Sequence, residues 1–190
     1  MSDQTSFDHF LIRRKFFKVF GASFHVYSGE RLIGYCKQKA FKLREDIRVY
    51  TDESQQKELL SIRARQIVDF AASYDVVDPG EGKKIGAARR RGFSSIFRDS
   101  WELLDANDQP IAQLQEDSML MATLRRFLSN LIPQTFAITA GTTPVATLKQ
   151  RFNPFLFKLD VDVAQSCPID KRLVFATAVL IAAIEGRQGR

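Results

Sequence analysis

The sequence predicts a mainly β protein: a barrel of about twelve antiparallel strands closed around a buried, hydrophobic C-terminal helix. Two observations predict it. A short strand motif recurs six times along the chain, and the final helix is apolar around its whole circumference.

The bulk numbers allow such a fold. The chain has 190 residues, 45% of them hydrophobic and 26% charged, so it can bury a sizeable core and does not resemble a disordered, charge-rich segment. We read 1–190 as a single domain, with flexible ends at 1–9 and 186–190. Met1 to Phe10 lacks the basic-then-apolar run of a secretory signal, which makes a cytoplasmic location the expectation. Cys36 and Cys167 are the only cysteines and do not suggest a disulfide framework.

The motif reads as one large apolar residue, a small one, and then a basic pair at alternate positions. Ile33-Gly34-Tyr35-Cys36-Lys37-Gln38-Lys39 is matched by Ile85-Gly86-Ala87-Ala88-Arg89-Arg90-Arg91 and by Val145-Ala146-Thr147-Leu148-Lys149-Gln150-Arg151. Leu59 to Arg65 fits with a larger second residue. Ile111 to Asp117 keeps the apolar half and loses the basic one, and Phe10 to Lys15 is a degenerate first copy. Lys37, Arg63, Arg89 and Gln115 stand 26 residues apart in equal steps; the next step, to Lys149, is 34. A fixed period in this range marks a repeated supersecondary unit.

Each unit has a second half with period-two alternation, rich in β-branched and aromatic residues: Phe24–Tyr27, Ile47–Tyr50, Tyr74–Val77, Trp101–Leu104, Phe136–Thr139 and Leu159–Val163. Turn residues stand between one unit and the next, at Ser28-Gly29-Glu30, Asp78 to Gly82, Asp105 to Asp108 and Ala140 to Thr143. Six units of two strands give twelve strands in a meander. Two helices interrupt the plan. One, at 118–131, fills the longer step. The other runs from Lys171 to Glu185.

The second helix decides the architecture. Its apolar run, Leu173 to Ile184, is about 18 Å long, whereas a bilayer core is about 30 Å thick. A helix without a polar face needs a protein surround, and a twelve-stranded barrel supplies one if some inward positions are small. Gly34/Cys36, Gly86/Ala88, Ala112/Leu114 and Ala146/Leu148 share one strand face, which we assign to the interior. The basic pairs then point outward. Strict alternation would also send Ile33 and Ile85 outward, unless a bulge shifts the register.

In this order the repeated apolar-small-x-x-Lys-Gln-Lys strand, the Leu159-Asp160-Val161-Asp162-Val163 segment and the apolar C-terminal helix resemble the LURP-one-related proteins. These are grouped with tubby C-terminal domains and phospholipid scramblases. The resemblance runs from about Phe10 to Ile184 and implies a tubby C-terminal-like barrel of twelve strands around a central hydrophobic helix. Tubby domains bind phosphatidylinositol phosphates through basic surface residues, and scramblases are linked to calcium-stimulated lipid movement. Many relatives of LURP-one have no established activity. The acidic calcium segment of scramblases corresponds here to Lys149-Gln150-Arg151-Phe152-Asn153-Pro154-Phe155, which has no carboxylate. Asp160 and Asp162, two apart on one strand face, read as solvated outward residues and fall short of the roughly six to eight oxygens calcium takes.

Enzymatic chemistry has little to stand on. The only histidines are His9 and His25; His25 lies in an alternating strand, and Cys36 on the small-residue face reads as an inert thiol. No catalytic residue, metal spacing or cofactor motif is expected. The basic pairs are the strongest surface signal: Lys37/Lys39, Arg63/Arg65, Arg89/Arg91 and Lys149/Arg151. At i, i+2 both members share a strand face, and recurrence sets them at similar heights, where they could bind phosphates. Alternatively, their long stems simply cover apolar surface.

With a formal charge of +6, the leading expectation is a non-enzymatic barrel, peripheral on a membrane, that binds anionic phospholipid or an acidic protein. A protein-interaction module without a lipid ligand, scramblase-like activity and non-specific nucleic-acid binding remain alternatives. Two further stretches, Met119-Leu120-Met121 with Arg125-Arg126 and Gly92 to Phe97, could also meet a membrane surface.

Overall fold

The structure, a computed structural model, describes residues 7–17, 21–38, 46–65, 72–91, 100–116, 134–151 and 156–185. Twelve strands follow one another: β1 (His9–Phe17), β2 (Gly21–Ser28), β3 (Arg31–Gln38), β4 (Ile47–Tyr50), β5 (Glu58–Ala64), β6 (Ser73–Asp78), β7 (Lys83–Arg90), β8 (Ser100–Leu104), β9 (Pro110–Glu116), β10 (Thr135–Ala140), β11 (Thr143–Arg151) and β12 (Phe157–Val163). A single described helix, α1 (Lys171–Glu185), follows β12. Each strand pairs antiparallel with the next, and β12 returns to β1, so the meander closes into a barrel without a free edge.

Closure puts the repeat's two faces on opposite sides of one wall. Cys36, Ala88, Leu114 and Leu148 are buried inside, as are Phe10, Phe24, Val49, Leu60, Leu103 and Val161. Ile33 and its equivalents resolve the alternation problem in one way. In each of five hairpins the register slips by one residue, leaving Ile33, Leu59, Ile85, Ile111 or Val145 as the extra residue. The large apolar residue of these five repeats is thus a β-bulge, while the degenerate first copy on β1 pairs with β12 and β2 without a shift. Ile33 and Val145 are buried there, while Leu59, Ile85 and Ile111 pack partly on the core. The turn of each of these hairpins holds one residue with a left-handed backbone: Gly29, Gln55, Gly82, Asp108 or Gly141.

The interior holds α1. Leu173 to Ala183 are all buried, and the helix touches β1, β12, β5 and β7, which lie on different sides of the ring. The small residues of the repeat make this possible. At Gly34 a Cβ would stand 3.0 Å from Phe175 Cζ, and at Gly86 it would stand 3.0 Å from Leu173 Cδ2. Thr177, buried in mid-helix, donates its hydroxyl proton to the Leu173 carbonyl at 2.8 Å, so its own polar group is satisfied within the helix. The helix entry is pinned by charge. Lys171 binds Asp8, and Arg172 bridges Asp170 (2.7 Å) and Asp78 (2.6 Å).

Two sequence expectations change. Phe7 and His9, expected within a loose N-terminus over 1–9, are held: Phe7 is buried with its ring 4.7 Å from that of Phe175, and His9 already belongs to β1. Asp160 points outward as expected but is covered, accepting hydrogen bonds from Arg151; Asp162 stays exposed beside His9. The helix expected at 118–131, the 92–97 stretch and the 186–190 tail lie outside the described residues. No helix among the described residues is long and apolar enough to cross a membrane.

Candidate functional site

The outer wall carries the basic pairs, and its chemistry divides into two sectors. On β5 to β8 Arg65, Lys84, Arg89 and Arg91 meet carboxylates of the same wall. Arg65 lies against Asp75, with Nε donating at 2.9 and 3.0 Å, and its Nη2 also reaches Asp108 at 2.5 Å. Lys84 shares both acids, at 3.3 Å from Asp75 and 2.6 Å from Asp108. Arg89 and Arg91 close on the two oxygens of Glu102 at 2.7 and 2.6 Å. Strand register explains this sector: Asp75 stands opposite Arg63 on β5, and Glu102 stands opposite Arg89 on β7.

These carboxyls are held below their ordinary range. Burial alone would raise Glu102, but hydrogen bonds from Arg89 and the charges of Arg91 and Arg89 outweigh it. For Asp75 the opposing pulls are again burial, which raises, and Arg65 with Lys84, which lower and win. Asp108 is lowered first by the hydrogen bond from Lys84 and then by that from Arg65. This sector is a satisfied ion-pair network.

The second sector lies across the closing seam, on β11, β12, β1, β2 and β3. Arg151 stands opposite Lys158, and Lys158 opposite Arg13, in one row across three strands. Lys15 and Lys37 both stand opposite Ser23 of β2, one from each side. Lys149 faces Asp160 on β12. Adjacent strands are about 4.8 Å apart, so these are neighbouring charges. Arg13, Lys15, Lys37 and Lys149 are exposed and Lys158 is half-buried. Arg13 rests over the Tyr27 ring at 4.9 Å. Arg151 is held by Asp160, but no carboxylate among the described residues pairs with Arg13, Lys15, Lys37, Lys149 or Lys158.

The eight residues singled out in the sequence therefore do not form one even band. Arg65, Arg89, Arg91 and Arg151 carry acidic partners. Arg63 is exposed and donates to Ser61 Oγ at 2.9 Å. Lys37 and Lys149 are exposed on the seam, and Lys39 lies outside the described residues. Sequence reasoning missed Arg13, Lys15 and Lys158. The first two form an i, i+2 pair in the degenerate first copy, a signal that was present. Lys158 becomes their neighbour only through barrel closure.

The remaining candidates are occupied or inert. His25 is buried, with Nε2 2.7 Å from Glu53 and its ring edge-on to Tyr35 at 5.0 Å. Burial pushes the Cys36 thiol up to about 12, far from the thiolate a nucleophile needs.

No protein in a curated set matches the chain. A family model, LURP-one-related, matches residues 8–182, from the start of the barrel into the buried part of α1. Repeat, bulges, closure and most of the central helix fall inside that span, and the chain belongs to the LURP-one-related family.

Proposed function

We propose that this protein is a non-enzymatic barrel that binds anionic phospholipid head groups, phosphoinositides among them, as a peripheral protein on a membrane surface. The observation that carries the reading is the exposed cations Lys37, Arg63 and Lys149, which have no carboxylate partner among the described residues on a wall where Arg65, Arg89, Arg91 and Arg151 do. A folded surface that leaves such charges open attracts phosphate at low ionic strength. The formal charge of +6 points the same way. An enzymatic role has no support in groups such as His25 and Cys36, the one held by Glu53 and the other a high-pKa buried thiol.

Co-sedimentation with vesicles of graded acidic-lipid content, at two salt concentrations, tests the reading. Binding should rise with acidic lipid and fall with salt. Absence of binding at low salt and high acidic content overturns it. The neutralised sector favours a second reading, a protein-interaction module whose basic pairs serve the barrel wall itself. Absence of vesicle binding together with capture of one stoichiometric protein partner would move the weight there.

A further inference from the structure

We infer that the closing seam of the barrel, β11-β12-β1-β2-β3, is the face that docks on an anionic bilayer, with Leu156 as its apolar contact. The inference rests on the lipid-binding reading and adds the place and the orientation. Three observations carry it. The seam gathers Arg13, Lys15, Lys37, Lys149, Arg151 and Lys158 on adjacent strands by register. The carboxylates on its outer face are already engaged, Asp160 by Arg151, Asp162 by His9, and Glu53, which reaches β2 from the β4–β5 turn, by His25. The third is Leu156, the one exposed large hydrophobic side chain among the described residues, at 39% exposure.

Leu156 immediately precedes β12, two positions before Lys158, so the exposed apolar group sits at the margin of the cations. Charge alone would suit nucleic acid equally well. An exposed aliphatic group beside the charge fits a bilayer better, because acyl chains accept it and a phosphodiester backbone does not. Each basic residue close to an acidic leaflet strengthens binding roughly fivefold. Five or six on one face suffice to orient the barrel, whereas on the β5 to β8 sector Arg65, Lys84, Arg89 and Arg91 are spent on the wall's own acids, leaving Arg63 open.

The test compares two double variants of equal net charge, K37E/K149E on the seam and K57E/K83E at exposed positions near the hairpin turns. It adds Leu156→Ser, and thermal melts verify that every variant is folded. The probe is vesicles of neutral lipid with graded phosphatidylserine at low salt. Loss of binding by about tenfold or more in K37E/K149E, with K57E/K83E within about threefold of wild type, supports the seam. So does a several-fold loss in Leu156→Ser. Equal losses in the two double variants overturn the seam while leaving lipid binding intact. No vesicle binding by the wild type overturns the lipid reading itself and the seam with it. If Leu156→Ser leaves vesicle binding unchanged and the wild type binds duplex DNA as tightly, the seam is a general polyanion surface and the bilayer assignment fails.

Discussion

At Gly86 an added Cβ would lie 2.4 Å from the Leu104 carbonyl oxygen and 3.0 Å from Leu173 Cδ2. The first of these is backbone of the adjoining strand, which cannot swing aside as a side chain can. Gly34 is less constrained, since the nearest atom to its Cβ would be the ring tip of Phe175 at 3.0 Å. Gly86→Ala should therefore cost about 1–3 kcal/mol, the range for overpacked cores, and Gly34→Ala distinctly less. Urea unfolding midpoints of the two variants measure the difference, and equal midpoints would refute the role of the β8 carbonyl. Cys36 offers a second test at this scale. Its folded-state thiol titrates near 12, against 9.0 for an exposed one. The shift leaves stability unaffected below pH 9. Above it the unfolded chain ionises and the folded chain does not, so stability falls by about 1.4 kcal/mol per pH unit up to the folded value. Cys36→Ala should flatten that alkaline limb in melts taken between pH 9 and 11; an unchanged slope would assign it to other groups.

Among the elements, α1 was the most legible in the sequence, because the run from Leu173 to Ile184, with Thr177 as its one polar residue, has no polar face and leaves only burial as a solution. The strands were legible through period-two alternation and the equal 26-residue steps. The bulges were visible only as a conflict. Ile33 and Ile85 were apolar where alternation wanted polar, and the slip that resolves it depends on the facing strand, which local sequence does not specify. The positive φ at Gln55 was hidden for a similar reason, since the β4–β5 turn lacks a glycine at that position. The helix is joined to the wall through Phe175, whose ring lies 4.7 Å from Phe7 and 5.2 Å from Phe10 and reaches the space above Gly34. Phe175→Ala should lower stability by about 3–5 kcal/mol, as for other large buried aromatics. Thr177→Val, which removes a hydroxyl satisfied only by its own helix, should cost less than about 1 kcal/mol. A chemical-denaturation series that ranked the two in the opposite order would mean that the helix is held at its middle and not at its entry.

For the whole molecule the charge distribution is uneven, and this part of the candidate site was least legible. The basic pairs were plain in the repeat, but their partners were not. Arg65 and Asp108 are 43 residues apart, and Lys158 meets Arg13 only because β12 closes on β1. Closure thus decides which cations are spent on the wall and which remain open. One consequence concerns acid. Glu102, Asp75, Asp108 and Asp170 all have folded-state values held below the ordinary carboxylate range. The sign follows directly: a depressed folded value contributes stability above the unfolded value, near pH 4, which is lost as pH falls through the folded one. Wild type should hold its melting temperature from pH 7 to about 5 and lose it below about 4. Glu102, with a side chain only 7% exposed, is the sensitive member because both of its cations are more open than it is. In R89Q/R91Q the shielded carboxylate loses its partners, burial then raises its value, and unfolding on acidification should begin at higher pH. At pH 7 the same variant should be weaker by about 3 kcal/mol, the order for stripping a buried charge of its partner. Glu102→Gln should cost less, since Arg89 and Arg91 can return to water. Acid titrations followed by circular dichroism distinguish the cases: an acid midpoint that rises in R89Q/R91Q and not in Glu102→Gln is the expected result, and equal midpoints would mean that Glu102 is solvated in the folded barrel.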